Sequence, residues 1–260
     1  MIQAKAIEIN AEFDGAVMNN AAIFDRRTAL RLSAWLLLVG QILYVVVTLF
    51  HAGGDANNHP VIFARYAASG TWTIVHVAQF ACTAILLAGL LALFFGLDPQ
   101  TETAKWTGRF GAALTVAAFA IYGAVLAVDG VALKQTVDAW VSAPEAEKAA
   151  RFATAEAVRW LEWGMRSYEN FTLGFAVLLF SVTVALTARI LRPIACLMAL
   201  SGLAYWLQGW TAGSDGFSTS HVIGIEASEV LNVVWAAWLL VVVSRDHELM
   251  PSSSNPAGAG

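Results

Sequence analysis

Long apolar runs separated by short polar connections dominate the chain. Six of them, at residues 29–50, 71–97, 110–129, 167–188, 193–210 and 222–243, reach or approach the roughly 20 helical residues needed to cross about 30 Å of hydrocarbon. The pattern predicts an all-α, six-transmembrane-helix bundle. Between spans 3 and 4 the pattern changes. Val131, Lys134, Val137, Asp138 and Val141 form a mixed face on a helix leaving the bilayer, and Ser142-Ala-Pro-Glu145 fits an S-x-x-E capping box opening a new helix. That helix carries Glu145, Glu147, Lys148, Arg151, Glu156, Arg159, Glu162, Arg166 and Glu169 straight into span 4. Opposite charges at i,i+3 and i,i+4 predict the pairs Glu156 with Arg159, Glu162 with Arg166, and Arg166 with Glu169.

The short connections set orientation, because Lys and Arg near span ends favour the cytoplasm. Arg26, Arg27 and Arg31 precede span 1, Lys105 and Arg109 join spans 2 and 3, Arg189 and Arg192 join spans 4 and 5, and Arg245 follows span 6. Both termini are expected in the cytoplasm, with the helical extension between spans 3 and 4 on the outer side. Residues 1–28 read as a cytoplasmic N-terminal segment. They carry Glu8, Glu12 and Asp14 and lack a cationic start followed by an apolar core, which argues against a cleaved signal peptide. Residues 29–245 read as the membrane domain, and residues 246–260, ending PSSSNPAGAG, as a disordered cytoplasmic tail.

Composition agrees: 58% of residues are hydrophobic and 13% charged, far from a soluble domain. The net charge of −4 offers no basic face for nucleic acid. Partners are expected to be the lipid bilayer and a small or lipid-like ligand. The two cysteines, Cys82 and Cys196, fall in different spans and read as small apolar fillers.

Charge inside a bilayer costs roughly 2.5–3.5 kcal/mol per ionised side chain on insertion scales, so its placement is informative. Asp129, Glu162, Arg166, Glu169, Glu226 and Glu229, with His51, His59, His76 and His221, all map to one end of the spans. Glu226 and Glu229 stand one turn apart in span 6, with Asn232 continuing their line, and two carboxylates there have to face protein, water, protons or a cation. His76 and Gln79 share a face of span 2 below Trp72, which reads as an interfacial anchor.

Three chemistries fit these residues. Imidazole and carboxylate together suit a divalent transition metal such as zinc, iron or copper, with His76, His221, His51, His59, Glu226 and Glu229 as ligands drawn from different helices, since no H-E-x-x-H spacing occurs. Haem is a narrower version, with His76 as the one histidine clearly inside a span. A metal-free alternative uses a raised-pKa carboxyl as general acid in an aromatic cavity, suited to isomerising or cyclising an isoprenoid-like lipid, with Glu226, Glu229, Asp129, Glu169 and Arg166 as the reacting or anchoring groups. Proton- or cation-coupled transport or sensing is a different class. It would use the same carboxylates, but the inner halves of the spans are almost purely apolar and no span is broken by an internal proline.

The stretches HAGGDANNHPVIFARYAASGTWTIVHVAQF, AEAVRWLEWGMRSYENFTLG and AYWLQGWTAGSDGF resemble a group of multi-span bacterial membrane proteins with no activity attached to it. The resemblance implies a bacterial inner-membrane protein and carries over no site residue. The expectation is an integral membrane protein with an outward-facing His/carboxylate pocket in the outer leaflet half, acting as a membrane-embedded enzyme or metal-binding protein.

Overall fold

The computed structural model describes residues 26–187 and 191–245. The N-terminal segment through residue 25, Arg189 between spans 4 and 5, and the tail from residue 246 lie outside the described residues, and with them the expected cytoplasmic N-terminal segment and disordered tail.

All regular structure among the described residues is helical. Helix α1 covers Arg26–Thr48, α2 His59–Ala68, α3 Trp72–Gly96 and α4 Glu102–Ala127. A six-residue π-helical segment, Val128–Leu133, continues α4 into α5, Lys134–Val141. Then come α6, Glu145–Thr187, α7, Arg192–Asp215, and α8, Thr219–Arg245. Five helices are long and apolar enough to cross a membrane: α1, α3, the continuous rod Glu102–Val141, α6 and α8. Helix α7, expected as span 5, has 24 residues and lies between α6 and α8, but it is not one of these five.

Two rods exceed a bilayer by a wide margin. At 1.5 Å per residue, the 40 residues from Glu102 to Val141 and the 43 residues of α6 span roughly 60 Å each, about twice the hydrocarbon thickness. Their overhanging ends pair through the Ser142–Pro144 turn and enclose α2, forming a cap. The helical extension expected between spans 3 and 4 is therefore present.

The fold has two apolar centres. The larger runs through the spans and includes Leu37, Leu90, Leu93, Phe180, Met198, Trp235 and Leu239. The smaller lies in the cap, where Ile62, Phe63 and Tyr66 of α2 meet Trp72, Leu133, Val137 and Ala155. Helices α6 and α7 approach closely because both present glycine: a Cβ on Gly202 would stand 3.0 Å from the Gly174 carbonyl oxygen.

Several local expectations change. Ser142 does not cap α6. Its hydroxyl donates backward to Asp138 O at 2.8 Å, closing α5. At the start of α8 the Ser218 hydroxyl accepts from His221 N at 3.4 Å. Trp72 is no interfacial anchor: it is 1% exposed and its indole Nε1 donates to Asp129 O at 2.9 Å. The cap covers the top of α3, so this tryptophan meets protein where a bare span end would meet headgroups.

Candidate functional site

Between the two apolar centres lies a cavity of about 300 Å³. The ends of the spans converge on it. Helix α1 supplies Gln41, Tyr44 and Thr48, α3 supplies Gln79 and Thr83, and α4 with its π segment supplies Tyr122 and Asp129. Helix α6 contributes Arg159, Glu162, Arg166, Glu169 and Asn170 at three- and four-residue spacing along one face. Tyr205 and Gln208 of α7, with His221, Ser228 and Glu229 of α8, close the far wall, and His51, Gly53 and Gly54 lie over the mouth.

The one-sided belt of charge seen in the sequence therefore gathers at one chamber, with three exceptions, of which His76 stands behind the lining residues Asp129 and His51. Glu226 is exposed on α8 and does not line the cavity. Residues three apart on a helix differ by about 60° in direction, and here that angle separates cavity from surface. His59 is drawn into the cap instead, with Nδ1 2.9 Å from Glu156 Oε1 and its ring stacked on Phe63. Glu156 thus pairs with His59 and not with Arg159.

Two of the three ion pairs expected on α6 change partner. Arg159 Nη1 contacts Glu162 Oε2 at 2.5 Å and Nη2 donates to Tyr66 Oη at 3.1 Å, while the guanidinium lies 4.6 Å from the Phe217 ring centre. Arg166 pairs with Glu169 at 3.7 Å, as expected, and sits 5.1 Å from the Tyr122 ring centre. Arg159 and Glu162 are almost wholly buried, so each neutralises a charge that water cannot reach.

One corner of the chamber has the donor set of a metal site. Ligand atoms of His51, His76 and Asp129 all lie within 4.8 Å of one another. His76 Nδ1 is 2.7 Å from Trp72 O, which can only accept, so Nδ1 carries the hydrogen and Nε2 is turned to Asp129 Oδ2 at 2.9 Å. That contact requires a shared proton or a cation. Tying one imidazole nitrogen to a backbone carbonyl fixes the other as a ligand, the usual support of metal-binding histidine. Asp129 is 5% exposed and its Oδ1 has no partner.

The backbone is arranged to hold this corner. Asp129 and Gly130 lie in the π segment, a form that recurs at functional sites. Trp72 donates to the Asp129 carbonyl and Thr73 Oγ1 to that of Gly130 at 3.2 Å, bracing the segment against α3. Gly130 permits the approach, since a Cβ there would stand 2.7 Å from His76 Cβ.

His51 lies in the loop after α1, its ring centre 5.1 Å from that of His76. Burial lowers its pKa to about 4, against an opposing pull from Asp129, so its imidazole is neutral and able to ligate at ordinary pH. That spacing leaves no room for a porphyrin between the two rings. His221 is held elsewhere on the wall, its Nδ1 3.1 Å from Gln208 O and 3.3 Å from Thr211 Oγ1.

None of the ten tryptophans lines the cavity; its aromatic surface is Tyr44, Tyr66, Tyr122, Tyr205 and Phe217. Below it, Asn232 donates to Gln41 Oε1 at 3.1 Å and to Tyr205 Oη at 2.9 Å, and accepts from Trp235 Nε1 at 3.1 Å. This closed polar cluster is the floor. Over the mouth, Asn57 of the 51–58 loop donates to Asp215 O at 2.8 Å and accepts from Phe217 N at 3.0 Å, joining two loops.

Sequence reasoning missed the tyrosines, Gln41 and Gln208. Their signal was a polar side chain deep in an otherwise apolar run, at 41 and 44 on one face of α1 and at 205 and 208 on one face of α7. No protein-family model, curated protein or solved structure matches the chain.

Proposed function

We propose that this is a six-span bacterial inner-membrane protein with cytoplasmic termini and a divalent transition-metal centre, acting as a metal-dependent enzyme on a small or lipid-like ligand. His51, His76 and Asp129 hold the ion at the wall of a chamber in the outer half of the bilayer, and α7 is the sixth span. The observation that carries the reading is the His76 ring, fixed by Trp72 O so that Nε2 meets the otherwise unsatisfied Asp129 beside an imidazole that stays neutral.

Two histidines and one carboxylate are the donor set of sites that keep coordination positions free for water or substrate. Around an ion bound tetrahedrally at about 2.0–2.2 Å, ligand atoms stand about 3.3–3.6 Å apart, so closing the 4.8 Å set takes a movement of at most about 1.5 Å. His51, on a loop, is the ligand free to make it. The charge of the chamber points the same way. Asp129, Glu162, Glu169 and Glu229 face only Arg159 and Arg166, and the two excess negative charges are neutralised by one divalent ion or by two protons.

The transport alternative needs a polar route onward from the chamber. Beyond the Asn232 floor, the core among the described residues is Leu37, Leu90, Leu93, Met198 and Leu239. A dead-end chamber suits a bound substrate better than a conduction path.

Metal analysis of the protein purified in lipid nanodiscs tests the reading. About one equivalent of iron, manganese, zinc or copper is expected, with release of protons on reloading. His76→Ala and Asp129→Asn are expected to lose it, and His59→Ala, outside the chamber, to keep it. A metal-free protein that takes up no ion, or full occupancy in both chamber variants, overturns the proposal.

A further inference from the structure

We infer that the chamber accepts an uncharged amphiphile, with a head group that both donates and accepts hydrogen bonds and a short hydrocarbon chain, admitted from the bilayer beside α8. The inference rests on the metal reading for its charge balance and on independent observations for its shape.

With a divalent ion at His51, His76 and Asp129, the four carboxylates and two guanidiniums of the chamber are formally balanced. A net charge on the ligand would then stand uncompensated in a low-dielectric site. The groups left free are of both kinds. Among the described residues Arg166 makes no hydrogen bond and its one ion pair is 3.7 Å long, so its donors face the chamber largely unused. Asn170, 3% exposed and one turn further along α6, has an amide nitrogen with no partner. Across from them Glu229 lines the chamber with neither a hydrogen bond nor an ion pair to any described residue. A hydroxyl, which donates once and accepts twice, serves both walls, while a carboxylate or an ammonium serves one.

The shape of the space specifies the rest. A second, small crevice of about 10 Å³ adjoins the chamber beside the Asn232 cluster, sharing Gln41, Leu86, Leu173 and Tyr205 with it and ending among Leu37, Leu90, Val177 and Trp235. It takes the tip of a chain and no more. The chamber itself is at the low end of the roughly 300–1,000 Å³ typical of small-molecule sites. Val222 of α8 lines the chamber and is also 45% exposed, next to the exposed Ile223, so the space reaches an apolar outer surface. An amphiphile can enter there without crossing water.

Octan-1-ol, octanoate and octylammonium, equal in length and different in charge, make the test. Binding is measured by titration calorimetry on the protein in lipid nanodiscs, with empty nanodiscs as the partition control. In the metal-loaded protein octanol is expected to bind at least tenfold more tightly than either ion. Stripping the metal restores two negative charges, and octylammonium is then expected to overtake it. Leu173→Trp, which fills the junction of chamber and crevice, or the milder Leu87→Phe, is expected to abolish or weaken binding. In the wild type, affinity above the partition control should stop rising from octanol to dodecanol.

A charged probe preferred by the metal-loaded protein, or an affinity that climbs with chain length as in a bare bilayer, overturns the inference while leaving the metal reading intact. If the protein takes up no metal, that reading fails on its own. In that protein octanol bound first, with two protons balancing the chamber, upholds the inference, and octylammonium bound first overturns it as well.

Discussion

Gly130→Ala is a one-carbon test of how the metal corner is built. A methyl group at this position would stand 2.7 Å from His76 Cβ and 3.0 Å from its Cγ, where carbon atoms ordinarily rest about 3.5–4.0 Å apart. Neither atom is the end of a flexible chain, so α3 and the π segment have to separate by about 1 Å. The His76–Asp129 contact would lengthen from 2.9 Å to nearly 4 Å, past hydrogen-bond range, and the Trp72 and Thr73 bonds to the same segment would loosen with it. Overpacking of this kind costs about 1–3 kcal/mol of stability. Metal affinity is expected to fall by about 10–100-fold, the range for disturbed support of metal ligands. Competition against a chromophoric chelator measures the affinity, and a thermal melt of the metal-free protein measures the strain. A variant that binds metal within twofold of wild type while melting several degrees lower would refute the reasoning: Gly130 would then serve packing alone.

Arg159→Ala leaves Glu162 buried with its cation gone, at a cost of about 3–5 kcal/mol, whereas replacing both residues with apolar side chains of similar volume is expected to recover most of the loss in a denaturation series. Glu229→Gln removes one of the two excess charges of the chamber. Losing a negative charge from the chamber wall is expected to weaken metal binding several-fold, while the exposed Glu226→Gln is expected to change it less than twofold in the same chelator assay. His51 gives a pH dependence to the metal-free protein. Its folded pKa of about 4 lies below the unfolded value of 6.5, so the unfolded state binds the proton first. Stability is fully present above about pH 6.5 and is lost as pH falls toward 4, by up to about 3 kcal/mol, and His51→Asn is expected to flatten that slope in pH-dependent melts.

The helices were legible because apolar length and turn chemistry are local properties. The runs ending at Thr48, beginning at Trp72 and ending at Arg245 appear in the structure close to where the pattern puts them. The gathering of charge at one end was legible for the same reason, since depth along a helix follows from residue number. Direction around the helix was not. Whether Glu226 or Glu229 faces inward depends on how α8 is rotated against α7 and α1, and a span apolar on every side gives no periodic signal to fix that rotation. Asp129 was placed among the acids but not beside His76, because a π segment resets the register of everything beyond residue 128 and has no sequence signature. The partners of Arg159 came from the cap, an arrangement of α2 against α6 that is long-range in the chain.

The two long rods constrain how the chamber can open. The Glu102–Val141 rod and α6 run from the membrane body into the cap, and α6 contains neither proline nor a break over 43 residues. A cap carried on two stiff struts cannot swing away like a hinged cover without bending them. Traffic past the metal corner from the water side therefore falls to the segment from His51 to Asn58, latched to the opposite loop by Asn57 and to α2 by Arg65 through the Gly53 carbonyl, and exchange of ions through that gate should be governed by the lifetime of these three hydrogen bonds.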